Sequence, residues 1–88
     1  MKTPYAYVLY IECDAEEHLV SLYRSLDEAE DALRDYTVTI FAGPQPDDDI
    51  IESLAEYGKH ARIFACTLRR GKQVSTELNP FARTAKAA

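Results

Sequence analysis

Cysteine is scarce in this chain: Cys13 and Cys66 are the only two among 88 residues. A secreted domain of this size more often carries roughly four to eight in pairs, so two isolated thiols point to a reducing compartment where both stay free. The N-terminus has one Lys followed by Thr3, Pro4 and Tyr5, and so lacks the basic stretch, apolar run and small-residue cleavage site of a secretory signal. No apolar run reaches the roughly 18 residues that a spanning helix needs. Together these absences predict a cytoplasmic location. Glycine is also sparse, and Gly43, Gly58 and Gly71 are dispersed at predicted turns, which excludes a phosphate-cradling glycine loop. Internal repeats and low-complexity segments are absent.

Bases are scarce in the first two-thirds of the chain and acids in the last third. Fourteen of the fifteen acidic residues lie between Glu12 and Glu56, where Arg24 and Arg34 are the only bases, a net charge of −12. Residues 57–88 hold seven bases and one acid, Glu77, a net charge of +6. Such an asymmetry bears on partners and solubility rather than on fold. Hydrophobic residues make up 47% and charged residues 28%, which is ordinary for a globular chain and predicts a folded core. At this length a single core is expected. One domain over residues 1–80 is predicted, followed by a flexible basic tail over 81–88.

Tyr5 to Glu12 (YAYVLYIE) is rich in β-branched and aromatic residues and has no breaker, so it reads as a strand. Tyr5, Tyr7, Leu9 and Ile11 alternate with Ala6, Val8 and Tyr10, leaving both faces apolar as in a central strand. Residues 13–17 suit a hairpin loop, with a second strand over His18 to Arg24. The phrase SLDEAEDALRDY then sets Ser25 three residues before Glu28, a capping box. Leu26, Ala29, Ala32, Leu33 and Tyr36 fall on one side of this helix. Asp27, Glu28, Glu30, Asp31, Arg34 and Asp35 fall on the other.

The β-branched run Thr37 to Phe41 (TVTIF) has strand character. Gly43, Pro44, Gln45 and Pro46 form the clearest breaker, and a second helix is expected from about Ile50 to Tyr57. Asp49 and Glu52 have capping-box spacing there, and Gly58 suits the left-handed position that ends a helix. Arg62 to Leu68 (RIFACTL) and Gln73 to Leu78 complete the pattern as a hairpin turning at Gly71. Val74, Thr76 and Leu78 are expected to point inward, and the half-polar last strand suits a sheet edge. The order β-β-α-(β)-α-β-β predicts an α+β fold of two layers, an antiparallel or mixed sheet of four to five strands with two helices on one face.

The hairpin and the phrase SLYRSLDEAEDAL, over about residues 5 to 36, resemble an arrangement in small uncharacterised bacterial and phage proteins. In those, two strands lead into a Ser-x-x-Glu-capped helix. The resemblance implies a fold and no site.

Three segments hold residues that could carry chemistry. ECDAEEH gathers Cys13, Asp14, Glu16, Glu17 and His18, but zinc sites declare themselves through paired Cys or His spacings that are missing here. PDDD lacks the alternating acids, turn glycine and terminal Glu of a calcium loop, and helix-start stabilisation explains its carboxylates. Cys66 with His60 could form a thiol site, yet Cys66 sits in an apolar strand that favours a buried, inert side chain. No metal, cofactor or enzymatic activity is expected.

Two surfaces remain. The first is an acidic face made by Asp27, Glu30, Asp31 and Asp35 on the first helix and by Asp47 and Asp48 at the start of the second. It suits a protein-binding module that masks a basic partner sterically and electrostatically, as a phage-type inhibitor imitating nucleic-acid charge would, or that pairs as a homodimer. The alternative is single-stranded nucleic-acid binding through Arg69, Arg70, Lys72 and Arg83 on the last hairpin and tail. Net acidity and the absence of an RNA-recognition or helix-turn-helix signature weigh against it.

Overall fold

A computed structural model describes residues 3–14 and 18–81. The chain runs β1 (Ala6–Cys13), β2 (Leu19–Tyr23), α1 (Leu26–Phe41), α2 (Asp47–Glu56), β3 (Lys59–Arg69) and β4 (Lys72–Leu78). The strands form one four-stranded sheet in the order β2-β1-β3-β4, with all neighbours antiparallel. Both helices pack against one face of this sheet, the two-layer α+β arrangement that the element pattern predicts. No helix among the described residues is long and apolar enough to cross a membrane.

The alternation of β1 sorts its side chains between the two faces. Leu9, Ile11 and Cys13 are buried under the helices, and their cross-strand partners Ile63, Ala61 and Lys59 line the same face of β3. Leu33 from α1, with Ile50 and Leu54 from α2, completes the core, each at most 1% exposed. Cys13 and Cys66 are both free and buried, on opposite faces of the sheet, so they cannot be bridged.

The start of α1 matches its sequence signature. Ser25 Oγ accepts the Glu28 N–H at 3.1 Å, while Glu28 Oε1 accepts the Arg24 N–H, one residue before the box would place it. The run Thr37–Phe41 is helical, not a strand. Leu33, Tyr36, Thr37 and Ile40 keep helical spacing toward the core, and Thr37 Oγ1 donates to Leu33 O at 2.8 Å, so the fully buried hydroxyl is satisfied inside the helix. Tertiary burial of that stripe outweighs the strand preference of the β-branched residues. The helix stops where Ala42 turns left-handed (φ 58°) and its N–H returns to Val38 O.

α2 begins at Asp47, three residues before the predicted start. Pro46 is its cap residue and offers no side-chain bond, so the Asp49 and Glu52 box does not form. The Asp49 N–H bonds to Pro46 O instead. Asp47, Asp48 and Asp49 occupy the first turn, where the helix dipole favours negative charge. Gly58 takes the left-handed conformation expected of it, at φ 74°.

The β3-β4 hairpin turns through Arg70 and Gly71, both at positive φ, as a tight two-residue turn requires. β4 is exposed along both faces except at Leu78. Val74 and Thr76 share the helix-side face but lie beyond the cover of α2, so their expected burial fails. The packed region includes Phe81, one residue past the expected boundary at Pro80, because Phe81 is 3% exposed and belongs to the core. Residues 82–88 of the predicted tail lie outside the described residues.

Candidate partner-binding surface

Residues 25–58 hold ten acidic side chains and a single base, Arg34. The two helices bring most of these acids to the outer surface of the helix layer, and the role of Arg34 decides how many remain available. Its Nε and Nη2 donate to the two oxygens of Asp47, each at 2.9 Å, and its Nη1 pairs with Asp31 one turn earlier. The fork geometry suits a guanidinium facing a carboxylate. The hydrogen bond from Arg34 holds the Asp47 carboxyl below the ordinary carboxylate range, and the same bond keeps Arg34 firmly protonated.

Arg34 also lies 4.9 Å from the Phe81 ring centroid, in cation–π contact. The Phe81 N–H donates to Glu30 Oε2 at 2.7 Å. Glu30, Arg34, Asp47 and Phe81 thus join α1, the start of α2 and the segment after β4. Glu30 was expected on the acidic outer face, but it is 2% exposed. It shares a helical stripe with Leu26, Leu33 and Thr37, and a buried carboxylate is tolerated where hydrogen bonds replace its water. Glu30 is therefore part of the internal frame and is closed to a partner.

Of the other acidic candidates, Asp31 and Asp47 are committed to Arg34, while Asp27, Asp35 and Asp48 are exposed at the surface. Asp49, Glu52 and Glu56 are exposed on α2 beside them. Two open clefts flank this layer. One, of about 610 Å³, lies between α2 and the end of β4 and is lined by Asp47, Asp48, Ile51, Leu78 and Phe81 among others. The second, of about 520 Å³, lies between β2 and α1 and includes Leu22, Arg24, Asp31 and Asp35.

The basic candidates Arg69, Arg70 and Lys72 are exposed together at the β3-β4 turn. Arg83 lies outside the described residues. The acidic and basic sets are therefore on separate parts of the molecule, the helix layer and the projecting hairpin.

The chemical candidates resolve differently. Among the described residues, no group of three or more His, Cys, Asp and Glu side chains is placed to hold a metal ion. Cys66 and His60 stand six residues apart on β3, roughly 20 Å in an extended strand, which rules them out as a catalytic pair. The Cys66 thiol instead lies 3.8 Å from Ser75 Oγ. His60 Nε2 approaches Asp14 Oδ1 at 3.7 Å, and His18 Nδ1 accepts the Cys13 N–H at 3.4 Å. Cys13, Tyr36 and Lys59 also meet at this end of the sheet. Burial pushes the Tyr36 phenol above the ordinary tyrosine range, Cys13 adds to the shift, and Lys59 opposes it. The grouping came from helix phase and strand register together, and neither is visible in residue spacing alone.

No protein-family model, curated protein or solved structure matches the chain.

Proposed function

We propose that this chain is a protein-binding module that masks a basic partner with the outer surface of its helix layer and performs no chemistry itself. The observation that carries this reading is the exposure of Asp35 on α1 and of Asp48, Asp49 and Glu52 on α2, in a helix layer whose single base, Arg34, is already committed to Asp31 and Asp47. Among the described residues, a partner approaching this layer meets carboxylates and no uncommitted cation. An inhibitor of phage type, occupying a polynucleotide channel in place of nucleic acid, is one form of the same mechanism. The module works as a homodimer in a reducing cytoplasm, offering two such layers.

Capture from native lysate at about 0.05 and 0.3 M salt, below and above the range where surface charges are screened, tests the proposal. A basic partner should be retained by the wild type at low salt, released at high salt, and lost by Asp35→Lys with Asp48→Lys. A partner held equally by both proteins at both salt concentrations refutes the acidic surface.

The exposure of Arg69, Arg70 and Lys72 on one projecting turn supports a second reading, single-stranded nucleic-acid binding. Replacing all three with Ala abolishes such binding and leaves the acidic layer intact.

A further inference from the structure

The helices cover one face of the sheet and, among the described residues, no helix lies on the other, bare face. By register, the bare face carries Val20 and Leu22 from β2, Val8 and Tyr10 from β1, and Arg62, Phe64, Cys66 and Leu68 from β3, with Glu77 on β4. Val20, Leu22 and Leu68 are 62%, 70% and 52% exposed, and Val8, Tyr10 and Phe64 are half-buried. An antiparallel sheet that faces water on one side normally alternates apolar with polar residues. β1 does not alternate, and its sequence is that of a strand covered on both faces. The apolar side chains at its middle, bounded by Glu12 and His60 at one end and by Gln73 and Ser75 on β4, form a patch of the kind that marks an interaction site.

We infer that this bare face is covered by a second copy of the chain, sheet against sheet across a two-fold axis. The inference deepens the homodimer in the reading above and rests on it, but it uses none of the acidic helix residues. The register favours self-association because the face is complementary to itself. An axis perpendicular to the strands, passing between the levels of Tyr10 and Val8, stacks Val20 on the partner copy's Leu22 and Tyr10 on its Val8. The same operation sets Arg62 over the partner copy's Phe64, the direct neighbour of Glu77 on the adjoining strand. Each interface then holds two Arg62 to Glu77 pairs on the β3-β4 side of an apolar area made by β2 and β1, and the strands of the two sheets stay nearly aligned, as sheet packing prefers.

Four strands and about four residue levels give a footprint of roughly 400 Å² in projection. That is about half of the ~800 Å² per partner in a standard interface, the size class of weak, transient association, so a dissociation constant in the micromolar range or weaker is expected. Both helix layers remain outward, so dimerisation leaves the acidic surfaces accessible.

Sedimentation equilibrium of the full chain from about 1 to 200 µM, a range covering micromolar constants, reads the outcome. The mass should rise from 9.9 kDa toward twice that value. Leu22→Asp, at a position that is solvent-exposed in the monomer, should keep the monomer mass throughout with an unchanged circular dichroism spectrum. Arg62→Glu and Glu77→Arg should each weaken the dimer about tenfold through like-charge contact, and the two together should restore it to within about threefold of the wild type. A wild type that remains monomeric at 200 µM overturns the inference, as does a dimer indifferent to these substitutions or one that the double exchange fails to restore. Tyr10 and Phe64 could instead stack on bases. Anisotropy of a labelled oligo-dT that rises with monomeric protein and is lost in Tyr10→Ala and Phe64→Ala would assign the face to nucleic acid and also overturn the inference. Failure of the acidic-layer capture leaves the sedimentation result unaffected, so the two readings fail separately.

Discussion

Replacing Phe81 with Ala tests the frame that joins the two helices to the end of the sheet. The ring is 3% exposed, sits under the Arg34 guanidinium, and belongs to a residue held at φ 63°, a conformation that side chains rarely adopt. Removing a buried Phe side chain typically costs about 3–5 kcal/mol, to which loss of the cation–π contact adds about 0.5–1 kcal/mol. The Phe81 N–H to Glu30 bond survives the substitution because its donor is backbone. A domain of this length has a total stability of roughly 4–13 kcal/mol, so the loss is a large fraction of the whole. With a urea slope of about 1 kcal/mol per M for a small domain, the midpoint should fall by about 3.5–6 M. Far-UV circular dichroism against urea measures it, and Phe81→Leu, which keeps most of the volume, should lose only about 1 kcal/mol. If Phe81→Ala lowers stability by less than about 0.5 kcal/mol, the size of an ordinary surface effect, the ring contributes nothing to the core and the packed domain ends at Pro80.

Three further outcomes are expected. Asp47 has a lowered carboxyl pKa through Arg34, so its stabilisation is complete above the ordinary carboxylate value and disappears as pH falls through the folded one. Asp47→Asn should therefore cost about 1 kcal/mol at pH 7, a modest figure because Arg34 is partly solvated, and urea midpoints of mutant and wild type should converge as the pH falls below the folded carboxyl value; a constant gap refutes the linkage. Tyr36 has a raised pKa, so its neutral form stabilises the fold below about pH 10 and that contribution is lost as pH rises through the folded value. Absorbance at 295 nm, a phenolate band, should show a late tyrosine step that Tyr36→Phe removes, and persistence of the step assigns it elsewhere. Gly58→Ala places a Cβ at φ 74° and 2.7 Å from Asp14 Oδ2; the carboxylate can swing aside, leaving a conformational cost of about 1–2 kcal/mol, or a melting temperature lower by at least about 4 °C. An unchanged melting temperature would show that the left-handed geometry is dispensable.

The strands and the first helix were legible because their signals are local. Alternation in YAYVLYIE, the Ser25 and Glu28 spacing and the turn at Gly71 each act within a few residues, and each appears where expected. Thr37–Phe41 failed because local β-branched preference and helical spacing of the same residues point in opposite directions, and only packing against β1 and α2 decides between them. The start of α2 failed for a related reason: Pro46 can cap a helix through its backbone alone, so the side-chain signature at Asp49 was not required. Phe81 carried no readable signal, since its partners Glu30 and Arg34 lie about fifty residues away in sequence.

The acidic surface was the least legible feature, because a count of carboxylates does not separate those that face a partner from those that hold the fold. Glu28 binds backbone at the start of α1, Glu30 is buried, and Asp31 and Asp47 share Arg34. Charge reversal at these four positions would damage folding and association together, and a lost interaction there would not distinguish the two. Reversal at Asp35 and Asp48 perturbs only exposed side chains, where substitutions usually change stability by less than about 0.5 kcal/mol. A binding defect confined to those two positions, with the Asp31 and Asp47 pairs intact, would therefore locate the partner on the helix layer. Unchanged binding would show that the acids of this chain serve its own architecture, and would leave the bare apolar sheet and the basic turn as the surfaces that act.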